Sequence, residues 1–429
     1  MRIGHVAVVV TLAVVAACGG DDVGPPSYGG SGGNAGSGGT GAMDAALPFD
    51  AGATDASEPD AELPPPRCVA SDDDRYQADT VTAAPTTFSL IGAPAGFGLA
   101  YQVDLCGTGI DVLRFPSGGG AFTPQSVVNG SGTCSRASQP LLDLADGAWS
   151  LYFWDNRGGT NQLWSLALDS GGEPTLQVAS AENGRAPMVA RIDGVPFLAW
   201  VEQSLPASEW TAVYLRRLAD LTATPTAAIA PSAAQHGFGF VFSGIETVGA
   251  IGWIDTQSVD RGAFLLPLNE EGAVAGVPVK LASQVSGKSS LDLADGAMNA
   301  AVVYSTVTDN VAFEVRFREL DESGRPTGIE ERIVTRAERG TDASIAPIGN
   351  GYVVAYRALP EVEDGTAIVR LILIDKTGRR LGDAADIATT TAGGGRVTVR
   401  STFDGRFSVA WVEADGASQR VRLVRIPCR

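Results

Sequence analysis

The chain has 429 residues, with 31 Lys and Arg against 49 Asp and Glu, a net charge of −18, and only two histidines. That balance excludes nucleic acid and anionic lipid headgroups as general partners, since both select basic surfaces. Hydrophobic residues make up 44% and charged ones 19%, which allows a large core, and 53 glycines with four methionines suit short strands joined by tight turns.

Residues 1–17 read as an export signal: Arg2 supplies charge, and Val6 to Ala17 is apolar except for Thr11. Roughly a dozen apolar residues are too few to span a bilayer core. The stretch ends Val15-Ala16-Ala17-Cys18. An aliphatic residue, two small residues and a cysteine at the end of such a stretch resemble the lipobox of bacterial lipoproteins. The resemblance implies that Cys18 is acylated and becomes the mature N-terminus. Several acyl chains on one residue give stable anchoring, where a single chain is marginal. In that family the residue after the cysteine influences sorting. Gly19 stands there rather than aspartate, so the resemblance implies the outer membrane, with the protein facing the periplasm or the cell surface.

Residues 18–67 form the tether. It holds Gly29-Gly30-Ser31-Gly32-Gly33, then Ala/Asp-rich sequence, then Pro64-Pro65-Pro66, with almost no β-branched or aromatic content. Such a segment cannot bury enough surface to fold. As a random coil it reaches about 40 Å root-mean-square. Gly36-Ser37-Gly38-Gly39 is not followed by Lys-Ser/Thr, so it is not a phosphate-binding loop.

From Cys68 to Arg429 a short apolar run closed by an aromatic residue recurs seven times, at Tyr101, Trp154, Trp200, Trp253, Tyr304, Tyr356 and Trp411, with gaps of 53, 46, 53, 51, 52 and 55 residues. A period of this size marks repeated supersecondary units that cannot bury their faces alone. Seven such units predict an all-β, seven-bladed β-propeller of four-stranded antiparallel blades; an open β array or two stacked sheets is the alternative. The rings are expected to fill the wedge between neighbouring blades.

Blade three shows the plan: strands at Pro187–Ile192, Val195–Val201, Ala212–Leu218 and Thr226–Ala230, with Asp193-Gly194 as the first hairpin turn. Asp146-Gly147, Asp295-Gly296, Asn350-Gly351 and Asp404-Gly405 take the matching place, and Leu-Asp-Leu-Ala-Asp-Gly-Ala occurs at Leu142 and again at Leu291, 149 residues or three blades later. The third turn recurs as Asp169-Ser170-Gly171-Gly172, Asp321-Glu322-Ser323-Gly324 and Asp375-Lys376-Thr377-Gly378. The last blade lacks a fourth strand after Gln419–Ile426, and the segment Gln77 to Ala84 is expected to supply it.

With Cys18 assigned to lipid, four cysteines remain in a compartment where disulfides persist. The blade model puts Cys106 and Cys134 in loops on one face and Cys68 beside Cys428 on the other. It therefore predicts Cys106–Cys134 and Cys68–Cys428. No Cys/His spacing suggests a metal, and no cofactor is expected.

The mature chain keeps one histidine, His236, in the loop entering blade four, on the face where propellers usually bind ligands. Asp104, Asp155, Glu202, Asp255 and Glu413 follow the aromatic strand ends and should reach the same face, with Arg157, Arg261 and Arg357 in adjoining loops. Carboxylates around a pore suit Ca²⁺ through oxygen ligands, but no calcium-loop motif supports this, and no sialidase Asp-box is present. Paired carboxylates also suit glycosidic cleavage. The arrangement resembles surface lipoproteins of Gram-negative bacteria with a Gly/Asp-rich spacer and a propeller domain. The expected function is a monomeric, membrane-anchored, non-catalytic module that binds a protein or glycan; the alternative is a glycan-active enzyme using rim carboxylates.

Overall fold

A computed structural model describes residues 74–426 apart from 79–86, 94–95, 104–108, 117–120, 129–137, 146, 156–161, 171–174, 179–183, 204–209, 221–224, 230–239, 246, 257, 296–299, 309–311, 362–365, 392–394, 403–404 and 416–417. The export signal, the tether, Cys18, Cys68, Cys106, Cys134, Cys428, Asp104, Arg157 and His236 lie outside the described residues.

The described residues form seven four-stranded antiparallel sheets and no α-helix. A short strand, β1 (Arg75–Gln77), comes first. Blade 1 is β2 to β5 (Phe88–Ala93, Gly96–Gln102, Ile110–Phe115, Pro124–Val128), and blade 2 is β6 to β9 (Ser138–Ala145, Ala148–Asp155, Gln162–Ala167, Thr175–Val178). Blade 3 is β10 to β13 (Gly184–Ile192, Val195–Gln203, Trp210–Arg217, Thr226–Ile229), and blade 4 is β14 to β17 (Phe240–Ile245, Val248–Asp255, Gly262–Leu268, Val279–Ala282). Blade 5 is β18 to β21 (Leu291–Asp295, Ala300–Thr308, Ala312–Leu320, Pro326–Val334), and blade 6 is β22 to β25 (Gly340–Ile348, Gly351–Ala358, Thr366–Asp375, Ala385–Thr391). Blade 7 is β26 to β28 (Val397–Ser401, Phe407–Asp415, Ser418–Ile426) with β1 as its fourth strand.

The first strands touch in cyclic order, β2 to β6 to β10 to β14 to β18 to β22 to β26 and back to β2. This closed ring makes the chain a seven-bladed β-propeller with the first strand of every blade innermost. The seam is closed as expected but earlier: Arg75 pairs Val424, Tyr76 pairs Leu423 and Gln77 pairs Arg422, and the Ala78 amide donates to the Val421 carbonyl. Closure joins the two chain ends within one blade and leaves only the short outer edge of β1 there.

All seven repeat aromatics are buried, none above 5% exposed, so they are packing residues between blades. Trp253 stacks on Phe264 and meets Trp210 edge to face, and Trp200 stacks on Tyr214. Glycine is required where inner strands nearly touch. A Cβ on Gly244 in blade 4 would lie 1.6 Å from the Arg191 carbonyl oxygen of blade 3, and one on Gly92 in blade 1 would lie 1.9 Å from that of Ser401 in blade 7.

Turn chemistry follows the expected pattern in blade 3 and departs from it in blades 5, 6 and 7: Asp295 is the last residue of β18 and pairs Ala300, and Ser401 pairs Phe407 with five residues between them, so neither Asp295-Gly296 nor Asp404-Gly405 is a two-residue turn. Asp193 and Gly194 adopt φ of 50° and 71° between the paired residues Ile192 and Val195, as a type I′ turn requires. In blade 6 the turn residues are Gly349 and Asn350, not Asn350-Gly351: Ile348 pairs Gly351, and Gly349 takes the positive φ. Gly351 belongs to the strand, where a Cβ would lie 2.3 Å from the Ile374 carbonyl oxygen. The third turn is held by a side chain. The Asp321 carboxylate accepts the Ser323 and Arg325 amides at 2.9 Å each and the Ser323 hydroxyl at 2.6 Å, and Asp375 repeats this with Thr377 and Arg379. Asn269 in blade 4 does the same for the Glu271 and Ala273 amides, a member that the Asp-Gly spacing did not predict.

Candidate functional site

The described rim carboxylates sit one per blade, each tied down locally. Asp155, at the end of β7, is fully buried, and Asp255, at the end of β15, is 3% exposed and accepts the Ser258 amide at 2.9 Å. Both were expected to reach the face where propellers bind ligands. Burial instead makes Asp255 the brace of the loop that carries the exposed Arg261, whose amide donates to the Ser258 carbonyl. Glu202 accepts the Tyr214 hydroxyl at 3.1 Å across the β11–β12 pair. Arg357 is a further correction. It lies within β23 rather than in a loop, and is 1% exposed. Its guanidinium reaches Asp342 at 3.3 Å and donates to the carbonyls of Gly395 and Val412. Burial lowers its pKa, against the opposing pull of Asp342 and Glu413.

Glu413 is the rim residue that the fold places in a cleft. Side chains two apart on a strand share a face, and directly paired residues on neighbouring strands share it too. Trp411 on β27 pairs Arg422 on β28, and Arg422 pairs Gln77 on β1. Trp411, Arg422 and Gln77 therefore form one row across blade 7. Glu413 stands two residues beyond Trp411 and Arg75 two residues before Gln77, on the same side. These five residues line a cleft of about 600 Å³, closed opposite by Ile387 and Thr389 on the outer strand of blade 6.

Polar contacts fix this row. The Arg422 Nε donates to Glu413 at 2.6 Å, and its Nη1 donates to the Gln77 side-chain oxygen. Arg75 reaches across to the Ile387 carbonyl at 3.3 Å, and the Thr391 hydroxyl is paired with both the Ala414 carbonyl and amide at the cleft end. Trp411 is 4% exposed, and its Nε1 has no acceptor among the described residues. The cleft thus offers a carboxylate, two guanidiniums and an amide. That set both accepts from and donates to ligand hydroxyls. Glu413 is the one carboxylate among its lining residues.

Among the described residues no group of three or more His, Cys, Asp or Glu is placed to hold a metal ion.

No protein-family model and no curated protein sequence matches the chain. Solved structures do. An ancestral GH74 enzyme superposes with a TM-score of 0.52 at 11% identity, over 82% of this chain and 48% of that one. This chain spans about half the length of that enzyme. Polysaccharide lyase Uly1 gives 0.47 at 10% identity over 84% and 99%, and the Aleuria aurantia lectin in complex with Fucalpha1-6GlcNAc gives 0.42 at 13% identity over 72% and 96%. At 11% identity the likeness to the GH74 enzyme is one of fold, and it agrees with the propeller built above from strand pairing.

Proposed function

We propose that the chain is an exported lipoprotein, acylated at Cys18 and held at the outer membrane by its tether, whose propeller binds a carbohydrate without cleaving it. The observation that carries the binding reading is the row Trp411–Arg422–Gln77, flanked by Glu413 and Arg75, over a cleft of about 600 Å³ between blades 6 and 7. Sugars present hydroxyls that donate and accept at once, together with apolar C–H faces. A pre-formed array of charged and amide groups fits the hydroxyls. Cleavage of a glycosidic bond needs two carboxyl groups about 5–10 Å apart. The cleft lining supplies one, and that one is already committed to Arg422. This supports a binding module over the enzyme.

The test is a glycan-array screen of the purified protein followed by calorimetric titration of any sugar that binds. Arg422→Ala and Glu413→Gln are expected to weaken binding at least tenfold. Unchanged affinity in both variants, or no binding to any glycan, overturns the reading. Turnover of a glycan that is lost in Glu413→Gln would replace it with the enzyme.

A further inference from the structure

One wall of the blade 6–7 cleft is attached differently from every other fourth strand. In blades 1 to 6 the fourth strand follows the third directly in the chain. β1 instead meets its partners from the far end of the sequence, Gln77 against Arg422 across 345 residues. It is also the shortest strand among the described residues, three residues against four to nine for the fourth strands of the other blades. Three register pairs and the Ala78 amide on the Val421 carbonyl hold its backbone to β28.

Alternate residues of β1 point to opposite faces, and both faces are used. Toward blade 6, Arg75 donates from both terminal nitrogens to the Ile387 carbonyl at 3.3 Å, and Gln77 accepts Arg422. Toward blade 1, the Tyr76 hydroxyl lies 2.8 Å from that of Tyr101, and its ring centroid lies 5.7 Å from that of Phe122. Asp74 then acts as a buckle. One of its carboxylate oxygens accepts the Arg425 Nε at 3.0 Å and Nη2 at 2.8 Å, with the two side chains 16% and 3% exposed. Arg425 is itself fixed to blade 1: it donates to the Pro116 carbonyl at 3.0 Å and lies 5.1 Å over the Phe122 ring. A charge-assisted pair with two donors is among the stronger polar contacts a fold can make.

The ring has a second closure that does not involve β1. At the axis the inner strands of blades 1 and 7 touch, so closely that a Cβ on Gly92 would lie 1.9 Å from the Ser401 carbonyl oxygen. Leu90 and Leu99 of blade 1 also share one buried apolar cluster with Val412, Val421 and Leu423 of blade 7. Unseating β1 therefore opens the rim of blade 7 and leaves the axis shut. An edge element held by few contacts opens locally at much less than the global cost. What leaves with it is the cleft: Arg75, Tyr76 and Gln77 are three of its ten lining residues, and Arg422 loses Gln77.

We propose that β1 is a strap that seats and unseats while the rest of the ring stays folded, buckled by Asp74 and Arg425, and that the blade 6–7 cleft is complete only when it is seated. That the cleft's occupant is a sugar rests on the carbohydrate reading; the strap itself does not. Apparent affinity scales with the seated fraction, and an occupant touching Arg75 or Gln77 holds the strap in by the same factor. Asp74 and Arg425 lie outside the cleft lining, so the buckle sets affinity without touching the occupant.

Native-state hydrogen exchange of the whole purified protein, read by mass spectrometry between zero and about 1 M urea, tests the strap without any sugar. The amides of Arg75–Ala78 are expected to exchange at least tenfold faster than those of β26 and independently of urea, while β26 follows the slope of global unfolding. Asp74→Ala combined with Tyr76→Ala should bring the β1 amides to the rate of free peptide, with β26 still protected at least a hundredfold. In that variant the Trp411 indole resonance should move, because the indole shares a row with Arg422 and Gln77. Exchange of β1 and β26 at one rate and with one urea slope in the wild type overturns the proposal, whether or not the double variant folds. A variant that folds with β1 still protected overturns it too. Failure of the carbohydrate reading is seen separately, as the absence of glycan binding, and leaves these rates unaltered.

Discussion

Asp292→Ala tests whether the triad of Asp292, Ser344 and Arg400, on the inner strands of blades 5, 6 and 7, holds those blades together. The carboxylate of Asp292 is 1% exposed and takes four donors: the Ser344 hydroxyl at 2.5 Å, the Ile345 amide at 3.2 Å, Arg400 at 3.3 Å and the Leu293 amide at 3.0 Å. Removing it leaves a buried guanidinium short of its partner, which costs about 3–5 kcal/mol when a buried pair is broken on one side. Hydrogen bonds to a charged group are worth about 1.5–3 kcal/mol each, but these share one carboxylate and do not add. The expected loss is therefore about 4 kcal/mol, read as a lower urea midpoint at unchanged slope in wild-type and variant unfolding curves. Asp292→Leu combined with Arg400→Met should recover much of the loss, since apolar pairs of similar volume replace buried ion pairs at little cost. A loss under about 1 kcal/mol for Asp292→Ala, or no recovery in the double variant, would refute the reasoning.

Three further predictions are independent of the axis. Gly244→Ala should destabilise by about 3 kcal/mol or more, because its Cβ would meet the Arg191 carbonyl at 1.6 Å. Gly382→Ala has nothing within 4 Å and should stay within about 0.5 kcal/mol, so equal thermal shifts in the two variants would count against the close approach of blades 3 and 4. Burial pushes the Asp375 carboxyl up, but the Thr377 hydroxyl and the Arg379 and Thr377 amides outweigh it and hold the folded pKa below the usual carboxylate range. Its stabilisation is thus complete above the unfolded pKa and lost as pH falls through the folded one. Asp375→Ala should lower stability at pH 7 and flatten the acid limb of a melting-temperature profile, and parallel profiles would contradict this. Peptide mapping of the unreduced protein by mass spectrometry is expected to find Cys68–Cys428 and Cys106–Cys134 linked and Cys18 acylated. Any other pairing, or an unmodified Cys18, would remove the corresponding assignment.

The architecture was legible because it repeats. Seven aromatic residues at gaps of 46 to 55 mark the second strand of each blade, and the structure buries all seven. The closing strand was legible from what blade 7 lacked, though its place moved to Arg75–Gln77. The repeated heptapeptide has a physical reason. Both copies place an aspartate on an inner strand, and both aspartates are buried against an arginine of a later blade, Asp143 against Arg191 and Asp292 against Arg400. The site was much less legible. Glu413 was singled out, but its partners Arg422 and Gln77 lie on strands from opposite chain ends, 345 residues apart. Only after β1 is set beside β28 does the row with Trp411 appear. The position directly opposite Trp411 in the last hairpin was the one available signal for Arg422. Rim position alone did not reveal that Asp155 and Asp255 are buried, and it misplaced Arg357, which lies within β23.

The central claim is that the seam between blades 6 and 7 holds a sugar. Nuclear magnetic resonance of the protein labelled at its tryptophan indoles reads this directly, since the Trp411 indole lies in the row that lines the cleft, beside Arg422. Titration with the sugar selected on the array should shift the Trp411 indole resonance saturably, and Arg422→Ala should abolish the shift while leaving the other indole signals in place. A sugar that binds the protein without moving the Trp411 resonance would contradict the account.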